Sequence, residues 1–204
     1  MSQRALPSSS KTGRAARRSR IAGRGLAGIL ALMAGGVVTA CGAGVEGGKG
    51  AESGGDSAGL IGNLAPDFSV RAVTGGSGMV SLKSLRGKVV LVDFWGTFCE
   101  PCKKSFPKLQ SLDTRYQERG LRIVGISEDE ADDRDKIPGF ASNYGAKFTL
   151  GWDEDKTIAR AYQPDTMPTT FVIDRKGVVR YVHVGFHDGE EREMEKQIQG
   201  LLAP

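Results

Sequence analysis

From Leu60 onward the apolar positions follow two rhythms. Compact apolar stretches fall at Met79–Leu82, Val89–Phe94, Leu121–Ile126, Phe148–Leu150, Thr169–Asp174 and Val178–Val184, with an extended Asp67–Val73 ahead of a glycine turn at Gly75-Gly76. The run Val89–Phe94 is broken only by Asp93, so it predicts a strand covered on both faces. Phe106, Leu109, Leu112 and Tyr116 recur at helical spacing and Gly120 stops that helix, while Met194, Ile198, Leu201 and Leu202 mark the inner face of a C-terminal one. A further helix is predicted over Ile137–Tyr144 and a helical turn over Thr157–Tyr162. Val89 to Ile126 is then a strand–helix–strand unit with a right-handed crossover, and the three residues Arg175-Lys176-Gly177 are too few for anything but an antiparallel hairpin. The expected fold is α/β: a mixed central β-sheet flanked by helices on both faces, in one domain spanning residues 60–204.

The start of the chain has a different texture. Its first forty residues hold seven Lys or Arg (Arg4, Lys11, Arg14, Arg17, Arg18, Arg20, Arg24) and no Asp or Glu, and end in the uncharged stretch Gly25–Ala40. This pattern predicts an export signal over residues 1–40. Sixteen helical residues reach only about 24 Å, short of a hydrocarbon core of about 30 Å, so a permanent span is disfavoured. The stretch closes on Val38-Thr39-Ala40-Cys41, which resembles a bacterial lipobox and implies cleavage before Cys41 and lipidation of that residue. Residues 41–59 are rich in glycine and hold almost nothing to bury, so they read as a flexible tether.

Charge follows from this division. The whole chain has 28 basic and 24 acidic residues, but 21 basic and 24 acidic remain once residues 1–40 are removed, and the net charge passes from +4 to −3. The basic balance therefore belongs to the leader, and no nucleic-acid partner is expected.

The chemistry concentrates in Trp95-Gly96-Thr97-Phe98-Cys99-Glu100-Pro101-Cys102, where a buried strand hands over to a helix. A Cys-x-x-Cys at a helix N-terminus places the first sulfur against unpaired N–H groups and the positive end of the helix dipole, which stabilise a thiolate. The second sulfur, one turn on, can close a disulfide with it. Half of a zinc site is an alternative, but His183 and His187 are the only histidines and stand some eighty residues away. A purely structural disulfide is another, although so small a loop removes little unfolded-state entropy. No metal or other cofactor is expected beside the dithiol.

Ala65-Pro66-Asp67-Phe68, Val92-Asp93-Phe94-Trp95, Cys99-Glu100-Pro101-Cys102, Pro107 and Met167-Pro168-Thr169-Thr170-Phe171 together resemble the thioredoxin superfamily, and within it the exported TlpA/ResA-like thiol–disulfide oxidoreductases. The resemblance implies a thioredoxin fold, with Cys99 as nucleophile and Cys102 as resolving thiol. Pro168 matches the family's cis-proline, leaving the Met167 backbone to pair with an extended substrate. Asp93 matches the buried carboxylate of thioredoxins, and burial should raise its pKa and suit it to take the Cys102 proton. Trp95 and Phe98 would wall the site beside Pro101, and packing into the core is the alternative for both. The implied partners are disulfide-containing exported proteins, with apocytochrome c as the family's example, and a membrane electron donor. The implied enzyme is a monomer, anchored as a lipoprotein and facing the periplasm or the outer face of the cytoplasmic membrane.

One departure matters. ResA-like proteins carry a glutamate three residues after the second cysteine, where this chain has Ser105, so the acid/base function is expected to have moved from the helix to Asp93 in the strand. Glu100 adds negative charge that opposes a thiolate at Cys99 and leans the pair toward reduction. The six acidic residues of Glu128–Asp135 read as a solvated loop. Two other functions remain open. A thiol peroxidase shares the Ala65-Pro66-Asp67-Phe68 start but wants Pro-x-x-x-Thr-x-x-Cys, and Thr97 stands two residues before Cys99. A copper chaperone of respiratory assembly would place three residues between its cysteines.

Overall fold

The computed structural model describes residues 56–203; Cys41 and the segment read as an export signal lie outside the described residues. Seven strands form one sheet: β1 (Ser69–Thr74), β2 (Met79–Ser81), β3 (Val89–Trp95), β4 (Leu121–Ser127), β5 (Thr149–Trp152), β6 (Thr169–Ile173) and β7 (Val179–Val184), in the order β2-β1-β5-β4-β3-β6-β7. The helices are α1 (Glu100–Tyr116), α2 (Ile137–Asn143), α3 (Thr157–Tyr162) and α4 (Glu190–Leu202). β3 runs parallel to β4 and β4 to β5, while β6, β7, β1 and β2 join antiparallel.

Every residue of β3 is buried, as a central strand covered on both sides requires. Val89, Leu91 and Trp95 point to the face where α1, α2 and α4 pack, and Val90, Val92 and Phe94 point to the face covered by α3 and the N-terminal segment. Around Trp95 the rings of Phe106 and Phe140 lie 4.6 and 4.8 Å away between centroids, and Phe148 joins Phe106 at 5.5 Å. Burying a ring such as Phe106 contributes about 2–3 kcal/mol, so this cluster anchors α1 and α2 to the strand that carries the dithiol loop.

Two boundaries differ from the sequence reading. Ser57–Leu60 form a 3-10 turn in which the Asp56 carboxylate accepts from the Gly59 N–H, and Ser57 is buried with its hydroxyl on Asp165. The ordered domain thus includes Ser57, and the tether boundary at residue 59 falls inside this turn; Gly- and Ser-rich composition hid a local Asx-type cap. Asp67, Phe68 and Leu82 also leave the sheet, because the Asp67 carboxylate accepts from the Lys83 N–H at the start of a 3-10 turn. The hairpin joining β6 to β7 is closed by the Asp174 carboxylate, which accepts from the N–H groups of Lys176 and Val178, with Gly177 at φ 82°.

Candidate active site

Cys99 is the N-cap of α1 and Pro101 sits in its first turn, where a missing N–H costs nothing. The Cys99 sulfur accepts from the Cys102 N–H at 3.2 Å, and a disulfide joins the two residues with their Cα atoms 5.3 Å apart. Cys102 is fully buried and Cys99 keeps a small exposed edge. The dithiol therefore lies at the C-terminal edge of the parallel strands, where the sheet's connections leave room for a ligand.

Behind it a row of polar residues crosses the sheet. Asp93 on β3 is paired in register with Thr170 on β6, and Thr170 with His183 on β7. Asp93 is fully buried; one carboxylate oxygen accepts from the Thr170 hydroxyl at 2.6 Å and the other has no partner. Burial pushes its carboxyl up from 3.8 to about 7, against the smaller opposing effect of the Thr170 hydrogen bond. His183 Nδ1 meets Glu190 at 2.7 Å and its Nε2 meets Gln197 at 2.9 Å, tying β7 to α4. Pro168, Thr170, His183 and Ser105 line one small cavity between α1, α4 and this edge of the sheet.

The remaining predicted site residues divide. The Met167–Pro168 peptide is cis, and the Met167 backbone has no protein hydrogen-bond partner among the described residues. Met167 packs, partly buried, against the core cluster that contains both cysteines. Phe98 is 62% exposed beside Cys99 and borders an open groove with Thr97, Lys103, Phe140 and Tyr144. Trp95 does not wall the site: it is 0% exposed, because as the last residue of β3 it points inward with Leu91 and is sealed by Phe106 and Phe140. Glu100 is exposed and pairs with Lys103 at 2.5 Å, which offsets the charge it presents near Cys99. The Ser105 hydroxyl turns back onto the Cys102 carbonyl at 3.1 Å.

The acidic run is the solvated segment expected only in part: Glu130, Asp132 and Asp135 are exposed ahead of α2. Ala131–Lys136 forms a 3-10 helix, and Asp129 is 1% exposed with its carboxylate hydrogen-bonded to Thr97 and Ser127. Glu128 is half-buried, with one carboxylate oxygen lacking a partner. Burial first and the neighbouring Asp153 second push it up from 4.5 to about 7, with Lys156 opposing. Thr170 and Asp129 escaped the sequence reading. A polar residue inside the apolar Thr169–Asp174 run was a usable signal for the first, but Asp129 reaches Thr97 across 32 residues and left no local trace.

The AhpC/TSA family profile matches residues 61–182. The thiol-disulfide oxidoreductase ResA of Bacillus thuringiensis (strain Al Hakam) is 37% identical over 142 residues, covering 70% of this chain and 76% of that protein. ResA of Bacillus subtilis (strain 168) is 35% identical over 124 residues, covering 61% and 67%. Among solved structures, one assigned to a thiol:disulfide interchange protein DsbE from Chlorobium tepidum matches with a TM-score of 0.65 and 34% identity over 70% of this chain and 98% of that one.

Proposed function

The chain belongs to the AhpC/TSA family and is a thiol–disulfide oxidoreductase of thioredoxin-like fold, and within that class we propose that it reduces disulfides of exported proteins through Cys99 and Cys102. The observation that carries the proposal is the pairing of a dithiol at the α1 N-terminus with a buried, half-satisfied carboxylate on the strand leading to it. The Cys99 thiolate attacks a client disulfide, forming a mixed disulfide and releasing the first client sulfur as a thiolate. Cys102 gives its proton to Asp93 and attacks the Cys99 sulfur; the Cys99–Cys102 disulfide forms and the second client thiolate leaves. Two electrons pass from the dithiol to the client, and a membrane electron-donor protein restores them. Phe98, Met167, Pro168, Glu100 and Pro101 form the docking rim, with the free Met167 backbone pairing to the extended client. No further cofactor takes part, and the enzyme acts as a monomer.

The same proposal places the domain outside the cytoplasmic membrane, tethered by lipid on Cys41; no helix among the described residues is long and apolar enough to cross a membrane. Loss of fatty-acid labelling in Cys41→Ser tests the anchor. The direction of electron flow is tested by equilibrating the dithiol in glutathione or dithiothreitol buffers. A reduction potential near about −270 mV supports the reductase, and one near about −120 mV makes the protein an oxidant and overturns the proposal.

A further inference from the structure

The segment that delivers Cys99 to the helix is nearly bare of its own anchors. Gly96 has no side chain, Phe98 points to solvent at 62% exposure, and the Cys99 N–H bonds only locally to the Gly96 carbonyl. Among the described residues, every hydrogen bond joining Gly96–Phe98 to another part of the chain is made by Thr97, and every one ends on Asp129. The Thr97 N–H donates to both carboxylate oxygens, at 2.9 and 3.2 Å, and its hydroxyl donates to one of them at 2.5 Å.

Asp129 is itself held from the opposite side. The Ser127 hydroxyl donates to its second oxygen at 2.6 Å, and its backbone carbonyl accepts from Trp152 Nε1 at 2.8 Å and Lys156 Nζ at 2.9 Å. Lys156 also donates to the Glu128 carbonyl at 2.6 Å, and it does so from φ 57°, a left-handed conformation that side-chain-bearing residues adopt only when their surroundings require it. One residue earlier, the Glu128 N–H closes on the Trp95 carbonyl at 2.8 Å. The loop after β3 and the end of β4 thus meet on the Asp129 carboxylate, while Trp152 of β5 and Lys156 beyond it hold the Asp129 backbone carbonyl, and the residue is 1% exposed.

We infer that Asp129 is a positioning residue for the thiol–disulfide reaction: by tethering Thr97 it holds the Cys99 sulfur against the Cys102 N–H and the N-terminus of α1. A charged hydrogen-bond acceptor with three bonds from one residue fixes that residue more firmly than packing of a glycine-bearing loop does, and a thiolate at an N-cap depends on where its sulfur sits relative to the helix N–H groups. Released from Asp129, the loop lets the sulfur drift from those donors and the thiolate loses its stabilisation. The inference rests on Cys99 being the nucleophile.

The experiment is alkylation of the reduced, full-length protein by iodoacetamide as a function of pH, with the modified cysteine identified by mass spectrometry and thermal stability measured alongside. In Asp129→Ala the midpoint of Cys99 alkylation rises by about one pH unit and the rate at pH 7 falls about tenfold, the scale set by losing hydrogen bonds to a charged group. Asp129→Asn keeps an oxygen for the Thr97 N–H but carries no charge, and stays within about twofold of the natural protein. Thr97→Val removes the hydroxyl bond alone and shifts the midpoint upward by less than Asp129→Ala. An Asp129→Ala protein that is less stable but has an unchanged midpoint overturns the inference, leaving a structural role only. Equal upward shifts in Asp129→Ala and Asp129→Asn also overturn it, because the oxygen that Asn keeps for the Thr97 N–H then makes no difference; a downward shift in both, the direction set by removing a negative charge near a thiolate, overturns it too. Should Asp129→Ala not fold, an unchanged midpoint in Thr97→Val decides against it. If Cys102 is alkylated first in the natural protein, the nucleophile assignment has failed, a result distinct from all of these.

Discussion

Replacing Asp93 by Asn should make the protein more stable at pH 8 and slower as an enzyme. The amide puts its oxygen toward the Thr170 hydroxyl and its NH2 where the carboxylate now has an unpartnered oxygen, so the neutral side chain resembles the protonated acid in shape and in what it leaves unsatisfied. The difference is that Asn never charges. Asp93 titrates at 3.8 when solvated and at about 7 when folded, so the folded state binds its proton more tightly and this contribution to stability is lost as pH rises through the folded value. At 1.36 kcal/mol per unit the loss amounts to about 4 kcal/mol by pH 8, of which about 3 kcal/mol falls between pH 5 and pH 8. Urea unfolding of the natural protein and of Asp93→Asn at pH 5, 6, 7 and 8 measures it: the gap between the two should widen by about 3 kcal/mol over that range. Glu128 and Asp113 are also raised by burial and add the same slope to both proteins, so it cancels from the gap, while Asp155, Glu191 and Glu195, which are lowered, act only at more acid pH. In the same variant the mixed disulfide between Cys99 and a client should persist roughly a hundredfold longer, the usual size of a lost general base. Parallel stability curves for the two proteins would refute the buried-carboxylate argument, whatever the kinetics.

Other perturbations test neighbouring parts of the argument. A Cβ on Gly125, the residue opposite Asp93 on β4, would lie 2.5 Å from Leu150 Cδ2 and 3.0 Å from Trp95 Nε1. Both neighbours are fully buried, so Gly125→Ala should cost about 1–3 kcal/mol in thermal or chemical unfolding, and an unchanged Tm would contradict the packing. Phe98→Ser should leave stability within about 0.5 kcal/mol but raise KM for a protein disulfide about fivefold while sparing a small-molecule disulfide; equal effects on both substrates would remove Phe98 from the docking rim. Ser105 and Thr170 line the same cavity, so adding Ser105→Glu to Asp93→Asn should restore about tenfold of the lost resolution rate. No gain in the double variant, with the fold intact by circular dichroism, would mean that the helix position cannot supply the base.

The order of elements was legible because each rests on local periodicity: β3 on an apolar run interrupted only by Asp93, α1 on Phe106, Leu109, Leu112 and Tyr116, and the β6–β7 hairpin on a short connection. The dithiol was legible for the same reason, since its spacing and its place between strand and helix are both contained in eight residues. What escaped depends on contacts distant in sequence. Asp129 looked as solvated as the rest of the acidic run because composition says nothing about Thr97, 32 residues away, which turns it into a buried acceptor. For Trp95 the choice between walling the site and packing in the core had an available signal: alternation along β3 places positions 89, 91, 93 and 95 on one face, and the face that holds Leu91 is the core beneath α1.

That alternation also accounts for where the acid sits. Asp93 points to the same side of the sheet as the buried Cys102, on a strand flanked by β4 on one side and β6 on the other. A carboxylate carried on α1 at position 105 would enter the cavity lined by Thr170, the partner of Asp93, on a longer side chain fixed only by its rotamer. In the strand, one oxygen is held by Thr170 and the other is left bare in a water-excluded interior. The bare oxygen is why the ionised form is unstable there, and an unstable ionised form is what a proton acceptor near neutral pH requires. The roughly 4 kcal/mol of stability withdrawn at pH 8 and the readiness to take the Cys102 proton are therefore one free energy seen from two sides. Giving that oxygen a hydrogen-bond donor should stabilise the fold at alkaline pH and weaken the base by the same amount.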